Sequence, residues 1–194
     1  MALRGRTKRL LADTLKEMLS RMPLEKVRIE ELCQECGIDR RTFYYHFKDK
    51  YDLVAWIYQQ DYEAALRDTG GRYSEELIQK VLQRMNSHRA FYRKAFLDKS
   101  QNTITRYIHD FYMNLYREKI LAHTGGENLS EEELYDLGSY VYASVEHTKE
   151  WLEGTSAYSI PVFARLQYRS LPSFLREAVF DKDMPPESSE TPNS

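Results

Sequence analysis

Hydrophobic residues recur every three or four positions along almost the whole chain, the spacing that places them on one face of an α-helix. The first such stripe, from Leu10 to Met22, predicts a helix from Thr7 to about Arg21, with Thr7 as its cap and Pro23 just beyond its end. The pattern predicts further helices at about 29–36, 40–47, 51–68, 75–86, 88–97, 102–122, 130–153 and 160–179. No segment reads as a convincing strand, so we expect an all-α protein.

Capping and helix-breaking residues divide this pattern into two domains and a tail. Gly37 separates two short helices, and Asp39 is a good N-cap for the second of them. Ser130 with Glu133 predicts a capping box at the start of a long helix, and Pro172 should kink or split the last one. We expect a three-helix N-terminal domain at 1–49, a helical body at 50–180, and a disordered polar tail at 181–194.

Composition indicates an ordinary soluble globular protein, because 42% of the 194 residues are hydrophobic and 30% are charged. No apolar run approaches the roughly 18 residues of a membrane span, and the N-terminus lacks the apolar stretch of a secretion signal. We therefore expect a cytoplasmic protein with no membrane partner.

The distribution of charge is more informative than the net charge of −2. The first 50 residues hold 12 Lys and Arg against 8 Asp and Glu, a net charge of +4. The other 144 residues hold 16 basic against 22 acidic side chains, a net charge of −6. A basic head on an acidic body favours contact between the head and a polyanion, and chance clustering of solvated charge is the alternative.

The strongest local signal is a helix-turn-helix over residues 29–47. The two helices cross sharply, which a glycine at position 37 permits, and Phe43 and Phe47 are expected to point inward. A second helix of this kind lies in the major groove of DNA and presents polar side chains to it. The side chains presented here are Arg40, Arg41, Thr42, Tyr44 and Tyr45.

The run from Thr42 to Leu53, Thr-Phe-Tyr-Tyr-His-Phe-Lys-Asp-Lys-Tyr-Asp-Leu, resembles the recognition helix and the next helix of the TetR family of bacterial transcription regulators. The resemblance implies a homodimer that binds near-palindromic double-stranded DNA. By family position, base edges would be touched by Arg40, Arg41 and Tyr44. The phosphate backbone would be held by Thr42, Tyr45, His46 and Lys50, and Thr7 is grouped with these DNA-binding residues.

Side-chain chemistry agrees with this division of roles. An Arg at the start of a recognition helix can make a bidentate contact with guanine. Tyr hydroxyls and a Lys ammonium suit phosphate oxygens.

The second half of the chain resembles one TetR subgroup, which includes activators of dihydroxyacetone kinase operons. The stretches that carry this resemblance are 91–96, 101–102, 138 and 150–154. The usual role of the family predicts a repressor, and the resemblance to this subgroup leaves an activator as the alternative. In either case the resemblance implies an effector bound by the C-terminal domain.

The 15 tyrosines are the unusual feature of the composition. Aromatic walls with a few polar tips are typical of ligand pockets, although a tyrosine at the rim of an ordinary core looks the same in sequence. The candidate effector residues are Tyr107, Phe111, Tyr112, Tyr142, His147 and Trp151, within a wider aromatic set that adds Tyr92, Phe96, His109, Tyr116 and Tyr140. A body that binds a protein partner instead of a small molecule is the alternative.

The sequence gives little support for a catalytic or metal-binding role. Cys33 and Cys36 lie on the apolar face of a predicted helix, which favours packing over a metal or redox role. The five His residues form no His-Glu-x-x-His motif, and no Gly-rich phosphate loop occurs. We therefore expect neither an enzyme nor a metal or cofactor.

The two long closing helices, at about 130–153 and 160–179, have more apolar surface than one body is expected to cover. Pairing them with a second chain in a four-helix interface would make the dimer. Leu166 and Phe174 are expected to lie in that interface.

Overall fold

The computed structural model describes residues 2–98, 104–126 and 128–179, with side chains from residue 5 onward. Within these ranges the chain forms ten α-helices and one 3-10 turn at Leu24–Lys26, and no strand. The helices are α1 (Ala2–Arg21), α2 (Ile29–Cys36), α3 (Arg40–His46), α4 (Lys50–Asp68), α5 (Glu75–Ser87), α6 (Arg89–Phe96), α7 (Ile104–Thr124), α8 (Glu131–Glu153), α9 (Ile160–Arg169) and α10 (Ser173–Val179). The all-α prediction is confirmed, and the expected tail at 181–194 lies outside the described residues.

Helix boundaries follow the sequence pattern closely, with one clear error. The last predicted helix is divided into α9 and α10 at Pro172, as expected for a residue that cannot donate to a helix ladder. The first helix, however, begins at Ala2, so Thr7 lies inside it and the prediction that Thr7 caps it is wrong. Ala, Leu and Arg are strong helix formers and continue the helix through Gly5.

The turn and capping residues predicted for the N-terminal domain adopt the expected conformations in the structure. Gly37 ends α2 in the left-handed conformation, with φ of 65°, and its N–H donates to the carbonyls at the end of that helix. The Asp39 carboxylate then accepts from the Thr42 N–H at 2.6 Å and caps α3. Phe43 is fully buried, which fixes α3 against the rest of the domain.

The body surrounds α4 and α7, which pack against each other. Helix α5 lies between α4 and α9, while α7 also contacts α8 and α10. Helix α1 contacts both α4 and α6, so the N-terminal domain and the body share one continuous hydrophobic core. No helix of the described ranges combines the length and the apolar character needed to cross a membrane.

Candidate nucleic-acid interface and buried cavity

Helix α3 is held by aromatic residues on its inner face. Phe43 and Phe47 are buried, and the Phe47 ring packs against Trp56 of α4 with 5.9 Å between centroids. The Lys8 ammonium lies 5.1 Å from the Phe47 ring centroid, so a basic residue of α1 covers the C-terminal end of α3. These contacts orient the opposite face of α3 towards solvent.

The outward face of α3 brings together the three residues predicted to read bases and Tyr45, which is predicted to hold phosphate. Arg40 and Arg41 are exposed, and the exposed fractions of Tyr44 and Tyr45 are 49% and 61%. Two i,i+4 pairs result, Arg40 with Tyr44 and Arg41 with Tyr45. The Arg40 guanidinium lies 5.9 Å from the Tyr44 ring centroid, and Tyr44 raises the pKa of Arg40. Arg40 is therefore a permanent cation supported by an aromatic ring.

The predicted phosphate-binding positions differ in their surroundings. Thr42 is half-buried near the start of α3, and its N–H is taken by the Asp39 cap. The hydrogen bond from Thr42 lowers the pKa of Asp39, so this carboxylate stays negative close to the arginines. His46 is half-buried at the last turn and its ring packs edge-on against Tyr45 at 5.0 Å.

Lys50 has partners that the sequence did not predict. Its ammonium donates to three backbone carbonyls, those of Leu24 at 2.7 Å, Glu25 at 3.0 Å and Val27 at 3.1 Å. An ammonium has three N–H donors, so these bonds use all of them. Burial lowers the pKa of Lys50, and the carbonyls stabilise the charge that remains. In this arrangement Lys50 joins the start of α4 to the 3-10 turn and offers no donor to phosphate.

The two cysteines of α2 pack as the sequence predicts. Cys33 is buried, and the half-buried Cys36 directs its thiol to the Leu10 carbonyl, with 4.0 Å between sulfur and oxygen. Burial raises the pKa of both thiols, which disfavours the reactive thiolate.

The six candidate effector residues do not line one pocket among the described residues. Tyr142 and His147 are exposed, while Trp151 is buried against Phe163 and donates its indole N–H to the Tyr158 carbonyl. Tyr107 donates to Asp49 at 3.0 Å and lies beside Phe111 in an open surface groove, away from the cavity of Tyr112. Phe111 packs its ring against Tyr58 and Tyr62. The residues lie on different faces of α7 and α8, which spacing along the sequence did not separate.

A cavity does exist in the body, and Tyr112 is the one member of the six that lines it. Its volume is about 40 Å³, and it lies among α4, α5, α7, α8 and α9. Of the wider aromatic set, Phe96, Tyr116 and Tyr140 also line it. Its other polar residues were not predicted from the sequence, and they are Tyr58, Tyr62, Tyr73, Ser144, Thr148 and Gln167.

The hydroxyl groups of the cavity form short hydrogen-bonded pairs. Tyr58 bonds to Tyr112 with 2.5 Å between oxygens, and Tyr73 bonds to Tyr116 with 2.6 Å. Tyr140 donates to the Gln167 carbonyl at 3.2 Å. Burial raises the pKa of each of these tyrosines, so the phenols are neutral near pH 7.

Models of known protein families match both the N-terminal domain and the body of the chain. A family model described as "Bacterial regulatory proteins, tetR family" matches residues 11–57. A second, described as "Transcriptional regulator C-terminal region", matches residues 73–171. The first match contains the helix-turn-helix, and the second contains every residue of the cavity except Tyr58 and Tyr62.

Individual relatives agree with these matches. The HTH-type dhaKLM operon transcriptional activator DhaS of Lactococcus lactis subsp. lactis (strain IL1403) is 25% identical over 93 residues. That alignment spans 47% of this chain and about half, 49%, of the relative. A solved structure, the dihydroxyacetone kinase operon activator DhaS, superposes with a TM-score of 0.52 at 17% identity, covering 89% of this chain and 96% of that one. The superposition shows a shared fold.

Proposed function

The chain belongs to the TetR family of bacterial regulatory proteins, and from that premise we propose that it binds a specific DNA sequence as a homodimer and regulates transcription. The observation that carries this proposal is the outward row of α3, where Arg40, Arg41, Tyr44 and Tyr45 are exposed on a helix anchored by buried Phe43. A regulator of this kind acts on DNA, and we propose the cytoplasm as its location.

The two arginines are the residues that we assign to base reading. An exposed guanidinium at the N-terminal end of a recognition helix can donate two parallel hydrogen bonds to guanine O6 and N7. Tyr44 is assigned with the arginines to base edges, and Tyr45, Thr42 and His46 are assigned to the surrounding phosphates. We leave Lys50 out of the contact set because three carbonyls already accept its donors.

A homodimer is supported by apolar side chains that one chain leaves exposed. Tyr135 and Tyr142 lie on the outer face of α8, and Leu166 is exposed on the neighbouring α9. A two-fold axis through this face would give the dimer two recognition helices related by symmetry. These helices would read two half-sites one helical turn of DNA apart, roughly 34–36 Å, so the operator would be near-palindromic.

Effector control is supported by the enclosed cavity and by its connection to the DNA-binding domain through α7. Tyr112 of α7 lines the cavity, and Tyr107, just over one turn earlier, donates to Asp49, which caps α4. A ligand that binds one position of α7 better than another would shift the separation of the two heads. The rival, a body that binds a protein partner, would use the exposed face of α8 instead.

The direction of regulation has two candidates. Repression is the expectation from the usual role of the family. Activation is favoured by one observation, the relative whose name describes a transcriptional activator. A promoter fusion carrying the selected operator separates them, because deletion of the gene raises expression from a repressed promoter and lowers it from an activated one.

The DNA-binding proposal is tested by selecting bound duplexes from random DNA and then measuring affinity for the selected site. We expect a near-palindrome, and we expect Arg40→Ala to lose about 1–3 kcal/mol of binding free energy and to relax specificity at one base pair per half-site. Arg93→Ala removes an exposed arginine of α6 and is the control. Equal losses on selected and random DNA would contradict the assignment of Arg40 to a base.

A further inference from the structure

The body cavity has features of a binding site that ordinary packing does not explain. Its wall is mainly apolar and includes a few polar groups, which six tyrosines together with Ser144, Thr148 and Gln167 contribute, as is typical of ligand pockets. Its volume of about 40 Å³ gives room for roughly three or four water-sized groups.

One hydroxyl of the lining is unsatisfied. The Tyr62 side chain is only 4% exposed, and its hydroxyl is buried with no hydrogen-bond partner in the part of the chain that the structure describes. Its neighbours Tyr58 and Tyr112 are bonded to each other. A buried O–H without an acceptor destabilises a fold, which makes Tyr62 a donor prepared for something that enters the cavity.

The lining also restricts the charge of what enters. None of the described residues that line the cavity has a charged side chain. Burial raises the pKa of Tyr58 and of Tyr62, so their phenols stay neutral. An ion would lose its hydration here without gaining a counter-ion, and its transfer would be strongly unfavourable. Apolar side chains such as Val81, Leu82 and Met85 complete the wall and suit carbon atoms.

We propose that this cavity binds a small uncharged molecule whose carbonyl or hydroxyl oxygen accepts a hydrogen bond from Tyr62, with its carbon atoms against the aliphatic wall. The proposal assigns a ligand class to the effector control proposed above, and as a statement about regulation it rests on that function. The size of the cavity limits the ligand to a few non-hydrogen atoms.

Three probes of the same branched shape test this class: acetamide, acetone and acetate. The full chain is labelled at its methionine methyl groups, and the Met85 resonance is followed by NMR while each probe is added. We expect saturable shifts with acetamide and acetone, with dissociation constants of roughly 1–10 mM, because so small a ligand cannot bind tightly. Acetate should give none, since it differs mainly in its charge.

Tyr62→Phe removes the proposed donor and keeps the ring. We expect acetamide to bind this variant about three- to tenfold more weakly, the effect of one lost hydrogen bond. Tyr158→Phe makes the same change at an exposed position between α8 and α9, and its affinity should equal that of the wild type. A purely structural Tyr62 hydroxyl would change stability in Tyr62→Phe and leave the acetamide affinity unchanged.

Three results would overturn the proposal: no saturable shift with either neutral probe, binding of acetate as strong as that of acetamide, or an acetamide affinity unaffected by Tyr62→Phe. The spectra are recorded without DNA, so they are independent of operator selection. A chain that binds the probes and selects no operator would overturn the proposed function alone. A chain that selects an operator and binds neither neutral probe would overturn the ligand class alone.

Discussion

Arg40 and Lys50 are cations of the same small domain, and their surroundings give them opposite roles. Arg40 is exposed beside an aromatic ring, so its guanidinium is available to DNA. Lys50 is half-buried and its ammonium is surrounded by three carbonyls of the 3-10 turn. The difference arises because the chain between α1 and α2 folds back over the start of α4, which residue type alone does not reveal.

Lys50→Met is expected to lower the free energy of unfolding by about 1–3 kcal/mol, because it leaves backbone carbonyls without a donor. Urea denaturation followed by circular dichroism measures the change. Lys48→Met alters an exposed lysine of the same loop and should be nearly neutral. If Lys50→Met instead kept full stability and lowered affinity for all DNA sequences, with a salt slope smaller by about one, Lys50 would be a phosphate contact after all.

The buried tyrosines make stability sensitive to alkaline pH. The folded state raises the pKa of Tyr62 above the value of 10.0 that applies to an unperturbed phenol, through burial. Above about pH 10 the unfolded chain loses this proton and the folded chain keeps it, so stability is complete below that pH and falls as the pH rises.

Tyr62→Phe is therefore expected to reduce the loss of unfolding free energy above pH 10 by up to about 1.4 kcal/mol per pH unit. Urea denaturation at a series of pH values from 8 to about 11 gives the slope. The substitution should not destabilise the protein at pH 7, because the hydroxyl that it removes has no partner among the described residues. An unchanged alkaline slope would show that Tyr62 ionises in the folded state.

At the level of the element, the helix-turn-helix depends on one backbone conformation. Gly37 has a φ of 65°, a region where a side chain is strained, although no atom lies within 4 Å of the position that a Cβ would occupy. The cost of a substitution is thus conformational and involves no collision with a neighbour.

Gly37→Ala is expected to lower the free energy of unfolding by about 1–2 kcal/mol, and Gly37→Asn by less, since Asn tolerates the left-handed region. The midpoint of urea denaturation measures both. Gly5→Ala, within α1, is the control and should be neutral or stabilising because Ala is the better helix former. A loss with Asn as large as that with Ala would contradict a purely conformational cause.

At the level of the whole molecule, the exposed apolar face decides assembly. Most of the apolar face of α8 is buried within one chain, including Leu137, Val141 and Val145. Phe174 of α10 is half-buried and packs against the core of its own chain. The surface left for a partner contains Tyr142, 64% exposed, and Leu166. These two residues are better interface probes than Phe174, whose substitution would also damage the core.

Tyr142→Glu and Leu166→Glu are expected to convert the dimer to a monomer and to abolish operator binding, because a charge is costly at the centre of an apolar interface above about 1,200 Å². Light scattering at micromolar concentration and circular dichroism measure mass and folding. Leu97→Glu places the same charge at an exposed leucine after α6 and should leave the dimer intact. A monomeric wild type, or a dimer indifferent to both changes, would place the interface elsewhere.

The sequence by itself determined what depends on neighbouring residues. Helical periodicity, Gly37, the Asp39 cap and Pro172 act within one or two turns, so the helices and the outward face of α3 followed from the chain alone. The start of α1 was the exception, because the basic residues before Thr7 extend the helix without an apolar stripe to reveal it.

Only the tertiary structure decided what depends on residues far apart in the chain. Lys50 meets carbonyls more than 20 positions away, and the cavity gathers tyrosines from α4, α7 and α8 together with Tyr73, just before α5. Tyr142, a candidate pocket residue, is exposed because the packing of α8 against α7 covers the face of Val141 and leaves the face of Tyr142 to solvent. Periodicity defines which residues share a face of a helix, whereas the neighbours of that face are set by how the helices pack.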